Sequence, residues 1–205
     1  MSNSVNQNNK VALTGTIVSG PQFSHELVGE KFYQTYISVK RLSGNYDVLP
    51  LQISERLMDV TRDYVGSKVR VAGEFRSFNQ RDSKKAHLIL SVFVTEFEEI
   101  AEDDGTNEIQ LDGFICKKPV HRTTPMGREI TDLCLAVNRP SGRTDYIPCI
   151  AWHQNAGFLA NLEVGTRIAI KGRIQSRVYT KRLNETETEE RVAYEVSIGR
   201  SKVMG

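Results

Sequence analysis

Residues 9–50 recur at 107–148, ninety-eight positions later, and this internal repeat limits what the chain can fold into more than any other feature. Asn9, Leu13, Gly15, Pro21, Gly29, Val39, Arg41, Ser43, Gly44, Asp47 and Pro50 return as Asn107, Leu111, Gly113, Pro119, Gly127, Val137, Arg139, Ser141, Gly142, Asp145 and Pro148. After one inserted residue the echo resumes ninety-nine apart: Val65-Gly66-Ser67-Lys68-Val69 against Val164-Gly165-Thr166-Arg167-Ile168. Gly73 and Ser77 return as Gly172 and Ser176. Solenoid units run roughly 20–50 residues, whereas a period near 98 is the length of a small independent domain. Two related domains in series are expected, at residues 9–95 and 107–205. A polar tail precedes them at 1–8, and a connector joins them at 96–106.

The charge is informative only when divided. Residues 1–106 carry 12 Lys and Arg against 14 Asp and Glu; residues 107–205 carry 15 against 11. Six of the first half's acids, Glu96, Glu98, Glu99, Glu102, Asp103 and Asp104, crowd into the connector. Without them both domains are moderately basic, and the connector reads as a solvated spacer. No stretch of 18 apolar residues is present, so no membrane span is expected. The Ser/Asn/Gln-rich start lacks the apolar centre of a signal peptide. Cys116, Cys134 and Cys149 are odd in number, far apart and set in apolar runs, which suits buried reduced thiols and a cytoplasmic chain.

Each half alternates as strands do. Val11 to Val18 and Ile109 to Ile115 place apolar residues at every second position, with Gly15 and Gly113 marking a bend. A second strand, Phe32 to Lys40, puts Tyr33, Thr35, Ile37 and Val39 on one face and Phe32, Gln34, Tyr36 and Ser38 on the other. Third strands follow at Asp47–Ile53 and Asp145–Trp152. Ser54 then opens a candidate helix whose apolar positions are Leu57, Met58, Val60 and Tyr64. Fourth strands run to Ser77 and Ser176, and fifth strands cover His87–Val94 and Val192–Ile198. The expected architecture is all-β: two tandem OB-folds, five-stranded Greek-key barrels, each with one short helix between strands three and four. Alternation and spacing alone leave other small barrels open.

The second half resembles the bacterial single-stranded DNA-binding protein family. The resemblance rests on Leu135-Ala136-Val137-Asn138-Arg139, on Thr144-Asp145-Tyr146-Ile147-Pro148-Cys149-Ile150-Ala151-Trp152, and on Gly165 to Arg177. It spans nearly all of residues 107–198, while the first half joins through the repeat. It implies the OB-fold, single-stranded DNA as ligand, a homodimer presenting four barrels, replication or recombination proteins as partners, and a place at the bacterial nucleoid. That family carries an acidic, apolar tip at its C-terminus; here the last residues, Gly199 to Gly205, are basic, so recruitment through such a tip is not expected.

Binding single strands without reading sequence needs cations for phosphates and ring faces for bases. Tyr146 and Trp152 stand where the resembling family stacks bases, and Tyr179 matches a further such position. Around them lie the candidate phosphate contacts Arg139, Arg143, Arg177, Lys181 and Arg182. In the first half Val48 and Ser54 replace Tyr146 and Trp152. There Phe32, Tyr36 and Phe78 are the substitute rings, and Lys40, Arg41, Arg76 and Arg81 the cations. The acids Glu185, Glu187, Glu189 and Glu190 suggest an exposed hairpin tip above a basic stem. His25, His87, His121 and His153 have no metal-ligand spacing, and no phosphate-cradling glycine loop occurs, so no metal, cofactor or catalytic centre is expected. The competing function is a primosome-like accessory or scaffold protein working mainly through protein contacts.

Overall fold

The structure is a computed structural model; it describes the backbone of residues 8–82, 85–182, 184 and 187–205, and their side chains except those of 79–87. The first repeat forms β1 (Asn9–Ile17), β2 (Gln22–Leu27), β3 (Glu30–Lys40), β4 (Tyr46–Ser54), β5 (Lys68–Asp82) and β6 (Lys85–Glu99). The second forms β7 (Asn107–Ile115), β8 (Val120–Thr123), β9 (Glu129–Asn138), β10 (Thr144–Trp152), α1 (His153–Ala160), β11 (Arg167–Arg182) and β12 (Thr188–Val203). In each repeat the first strand pairs with both the third and the fifth, and the sixth lies parallel to the fourth, which closes a Greek-key barrel.

Gly15 and Gly113 permit that closure. A Cβ on Gly15 would sit 2.4 Å from the Ser38 carbonyl oxygen, and one on Gly113 2.6 Å from that of Ala136. Both contacts are closer than any side chain tolerates, so the first strand can curl onto the third only where Cβ is missing. Inward positions carry aliphatic residues: Leu13, Ile37, Leu49, Leu51 and Val71 in the first barrel, Leu111, Leu135, Ile147, Ile168 and Ile174 in the second. Each such side chain contributes about 1.5–3 kcal/mol by leaving water.

The barrels are not separated beads. β1 and β7 pair antiparallel with Val11 opposite Ile109, which are equivalent positions of the repeat. The junction is thus locally two-fold, and one twelve-stranded sheet runs through both barrels.

Four details depart from the sequence expectation. The hairpin strands β2 and β8 are exposed at every position, so no alternation announced them. β5 with β6, and β11 with β12, extend past the barrels as long arms. Three of the connector acids, Glu96, Glu98 and Glu99, belong to β6, and Glu98 and Glu99 pair with Arg70 and Arg62. The helix expected after Ser54 does not form; residues 55–67 hold turns, bends and irregular backbone. Asp59 Oδ1 accepts the Thr61 N–H at 3.0 Å and Asp63 Oδ1 accepts the Val65 N–H at 2.9 Å. Short acidic side chains that capture amides two residues on compete with a helical ladder. Met58 and Tyr64 still plug the barrel end, as Ala156 and Leu159 of α1 do in the second repeat.

Candidate nucleic-acid interface

Alternation along β10 turns Ile147, Cys149 and Ala151 into the core and leaves Tyr146, Pro148 and Trp152 on the outer face. Tyr146 is 45% exposed, and Trp152 is half-buried at the N-terminal cap of α1. Tyr179 lies half-buried on the arm of β11, with the Arg177 guanidinium 5.8 Å from its ring centre. None of these three rings belongs to the core. Arg143 is exposed in the β9–β10 turn, Lys181 is half-buried opposite Glu189, and Arg182 is exposed. Arg177 is 57% exposed, with the Glu195 carboxylate 3.9 Å away. Glu187, Glu189 and Glu190 are exposed at the tip of the arm; Glu185 lies outside the described residues.

Two proposed phosphate contacts are spent internally. Arg139 donates to the carboxylate of Asp145, 1% exposed, and to the Ser77 carbonyl oxygen at 3.1 Å. Asp145 in turn accepts the Ser77 N–H at 2.6 Å. The other seam repeats the device. Arg41 donates to Asp47 and, at 3.0 Å, to the Ser176 carbonyl oxygen, while Asp47 accepts the Ser176 N–H at 2.7 Å. Each repeat thereby clamps the arm of the other, and the paired guanidiniums are raised further above their usual range by the carboxylate hydrogen bond. The recurrence of both residues six apart was the available sequence signal.

The first barrel's outer face also differs from expectation. Phe32 is 7% exposed, covered by His25, stacked at 5.1 Å, and by Phe93, tilted at 5.8 Å. It presents no free ring face. Arg76 lies over Phe93 at 3.6 Å and pairs with Glu74 at 2.9 Å, so it is a packed cation. Tyr36 is half-buried, and its hydroxyl accepts from Gln34 at 3.0 Å. Tyr194, on the second repeat's arm, has its phenol pushed up to about 12, first by burial and then by the nearby Tyr36. Phe78 is 45% exposed beside Ser77, and Lys40 is exposed. The Arg81 side chain lies outside the described part of the structure.

One ring escaped the sequence reading. Tyr46 is 58% exposed on the outer face of β4, directly opposite Lys40. It precedes Val48, the residue in Tyr146's place, by two positions and so shares its face. A ring two residues upstream of an expected site on a strand is the pattern that could have found it.

The model of the single-strand binding protein family matches residues 106–200. A relative from Halalkalibacterium halodurans named single-stranded DNA-binding protein is 36% identical over 80 residues, covering 36% of this chain and 48% of the relative. Single-stranded DNA-binding protein A of Bacillus subtilis is 38% identical over 80 residues, covering 36% of this chain and 46% of the relative. The chain thus spans about half the length of the curated relatives it matches. The wild-type single-stranded DNA binding protein from Thermus aquaticus superimposes with a TM-score of 0.73 at 20% identity, over 96% of this chain and 93% of that one. That likeness extends through both barrels and concerns the fold. The second barrel, residues 106–200, therefore matches the single-strand binding protein family, and the whole chain shares the fold of the Thermus aquaticus protein.

Proposed function

We propose that this protein binds and protects single-stranded DNA during replication, recombination or repair, by stacking bases and neutralising phosphates without reading sequence. The observation that carries the reading is the outer face of the second barrel, where Tyr146, Trp152 and Tyr179 stand off the core among Arg143, Arg177 and Lys181. The names of the relatives support the same ligand. The protein acts by binding rather than catalysis, as a homodimer of four barrels that also meets replication or recombination proteins. It works in the cytoplasm; among the described residues no helix is long and apolar enough to cross a membrane.

Titration with oligo-dT tests this. Trp152 emission is quenched as bases stack, and Tyr146→Ala with Tyr179→Ala weakens binding by about 2–6 kcal/mol if the two contributions add. Unquenched emission at saturation would count against stacking.

A second reading has its own observation. The β2–β3 hairpin exposes Phe23 and Leu27 at 61% each and Val28 at 96%. Such an apolar tip suits an accessory or scaffold protein that grips other proteins. In that case the double tyrosine variant leaves oligo-dT affinity nearly unchanged.

A further inference from the structure

Two of the three cysteines face each other across the end of β7. That strand pairs with β9, Phe114 opposite Ala136 and Ile115 opposite Leu135, and one step further the register brings Cys116 opposite Cys134. The Cys116 N–H donates to the Cys134 carbonyl oxygen at 3.0 Å, and the Cys116 thiol donates to the same oxygen at 3.2 Å. Both residues are half-buried, whereas Cys149 is buried in the core. Leu133 and Leu135 point inward, so Cys134 lies on the outer face, across from Pro148 of β10. Hydrogen-bonded antiparallel partners stand about 5.5 Å apart at Cα, inside the roughly 4.4–6.8 Å that a disulfide spans. The two thiols already interact: burial first, and then the Cys116 thiol, push Cys134 up to about 12.

The first repeat supplies an internal control. Val18 and Tyr36 occupy the equivalent positions, and the Val18 N–H donates to the Tyr36 carbonyl oxygen at 2.9 Å. The fold therefore needs the backbone bond and not the sulfurs; the second repeat alone carries a thiol at both positions. Beside them, β8 is the outermost strand of the sheet, exposed at every position and paired with β9. A bond between the two sulfurs would close residues 117–133, which contain β8, into a ring anchored at the end of β7.

We infer that Cys116 and Cys134 form a reversible redox site, which a small disulfide oxidant converts into a cross-strand bridge pinning the β8 hairpin to the end of β7. The site stands independently of the nucleic-acid reading. Only a thiolate attacks, and Cys134 ionises sparingly, so Cys116 meets the oxidant. Its thiolate attacks one sulfur of the reagent, forms a mixed disulfide and expels a first thiolate, which takes up a proton. Cys134 then gives its own proton to solvent and attacks the Cys116 sulfur, expelling the second. Two protein thiols are oxidised and one reagent disulfide is reduced to two thiols. Cys134 is slow towards a reagent in solution, but the mixed disulfide is held beside it at high effective concentration. In a reducing compartment such a pair rests as two thiols and bridges only transiently.

The test treats the native full chain with dithiodipyridine, whose released thiopyridone is counted by its absorbance. Expected are two equivalents per chain, a product lighter by two hydrogens without a pyridyl adduct, and a peptide pair linked through Cys116 and Cys134. The urea midpoint rises on bridging and returns with dithiothreitol, because the bridge closes a loop in the unfolded chain. Cys134→Ser stops at one equivalent with the adduct on Cys116, and Cys149→Ser behaves as the wild type. A stable adduct on wild-type Cys116, a link through Cys149 or between chains, or no release from the native protein overturns the site. An unmoved urea midpoint overturns the pinning.

Discussion

Asp145 of the second repeat accepts the backbone N–H of Ser77 of the first at 2.6 Å, so a buried carboxylate of one barrel positions the arm of the other. The Ser77 hydroxyl accepts the Tyr146 N–H at 2.8 Å, which ties the candidate stacking strand to the same seam. The equivalent contact between Asp47 and Ser176 makes the clamp reciprocal. Breaking either one leaves a guanidinium and an amide without their acceptor.

Asp145→Ala is expected to destabilise the protein by about 3–5 kcal/mol, the range for removing one partner of a buried ion pair. Asp47→Ala should act similarly, because its carboxylate is as deeply buried, at 1% exposed. Urea denaturation measures both. A midpoint equal to that of the wild type for either variant would show the clamp to be dispensable.

Tyr46→Ala should weaken oligo-dT binding by about 1–3 kcal/mol, the usual loss for one stacked base, with little effect on stability because the ring is exposed. Phe32→Ala should do the reverse, costing about 3–5 kcal/mol of stability as a buried aromatic. Fluorescence titration and thermal melting separate the two. Equal affinity losses from both variants would contradict the assignment of Tyr46 as ring and Phe32 as packing.

The connector is pinned by Asp104, whose carboxylate accepts from the Thr14 hydroxyl at 2.6 Å and the Thr106 N–H at 3.0 Å. These bonds, the Thr14 hydroxyl first, pull its pKa from 3.8 down to about 2. A carboxylate depressed by folding stabilises above its unfolded value and loses that contribution as pH falls through its folded value. The stability difference between wild type and Asp104→Asn should therefore be full above about pH 4 and vanish towards pH 2. Denaturation midpoints across that interval test it, and a difference constant down to pH 2 contradicts it.

Burial pushes the Cys149 thiol well above its ordinary range and the Cys134 thiol up to about 12. Only the thiolate attacks, so the folded protein should react slowly at both positions with a disulfide reagent at pH 8. Unfolding in urea should release them at once. Rapid labelling of Cys149 in the native protein would place it at the surface, against the packing described here.

The duplication, the strand alternation and the glycines of the first strands were all legible because each depends on local geometry: side chains alternate along a strand, and a curled strand excludes Cβ. On that basis two strand-built domains and their inward residues could be read directly, while the type of barrel and the choice of Tyr146, Trp152 and Tyr179 as candidate rings came from the family resemblance. The long-range contacts could not. Arg41 and Arg139 looked like free cations, since nothing in sequence places Ser176 beside Asp47 or Ser77 beside Asp145. Phe32 looked outward-facing, and so it is, but His25 and Phe93 arrive from other strands to cover it. The helix after Ser54 failed because Asp59 and Asp63 satisfy local amides that a periodicity argument counts as helical. What the sequence by itself determined was the repeat and the face on which each residue lies. Which of those faces are covered, and which charges are already answered, only the assembled tertiary structure decided, because burial and pairing between residues on different strands are properties of the folded sheet.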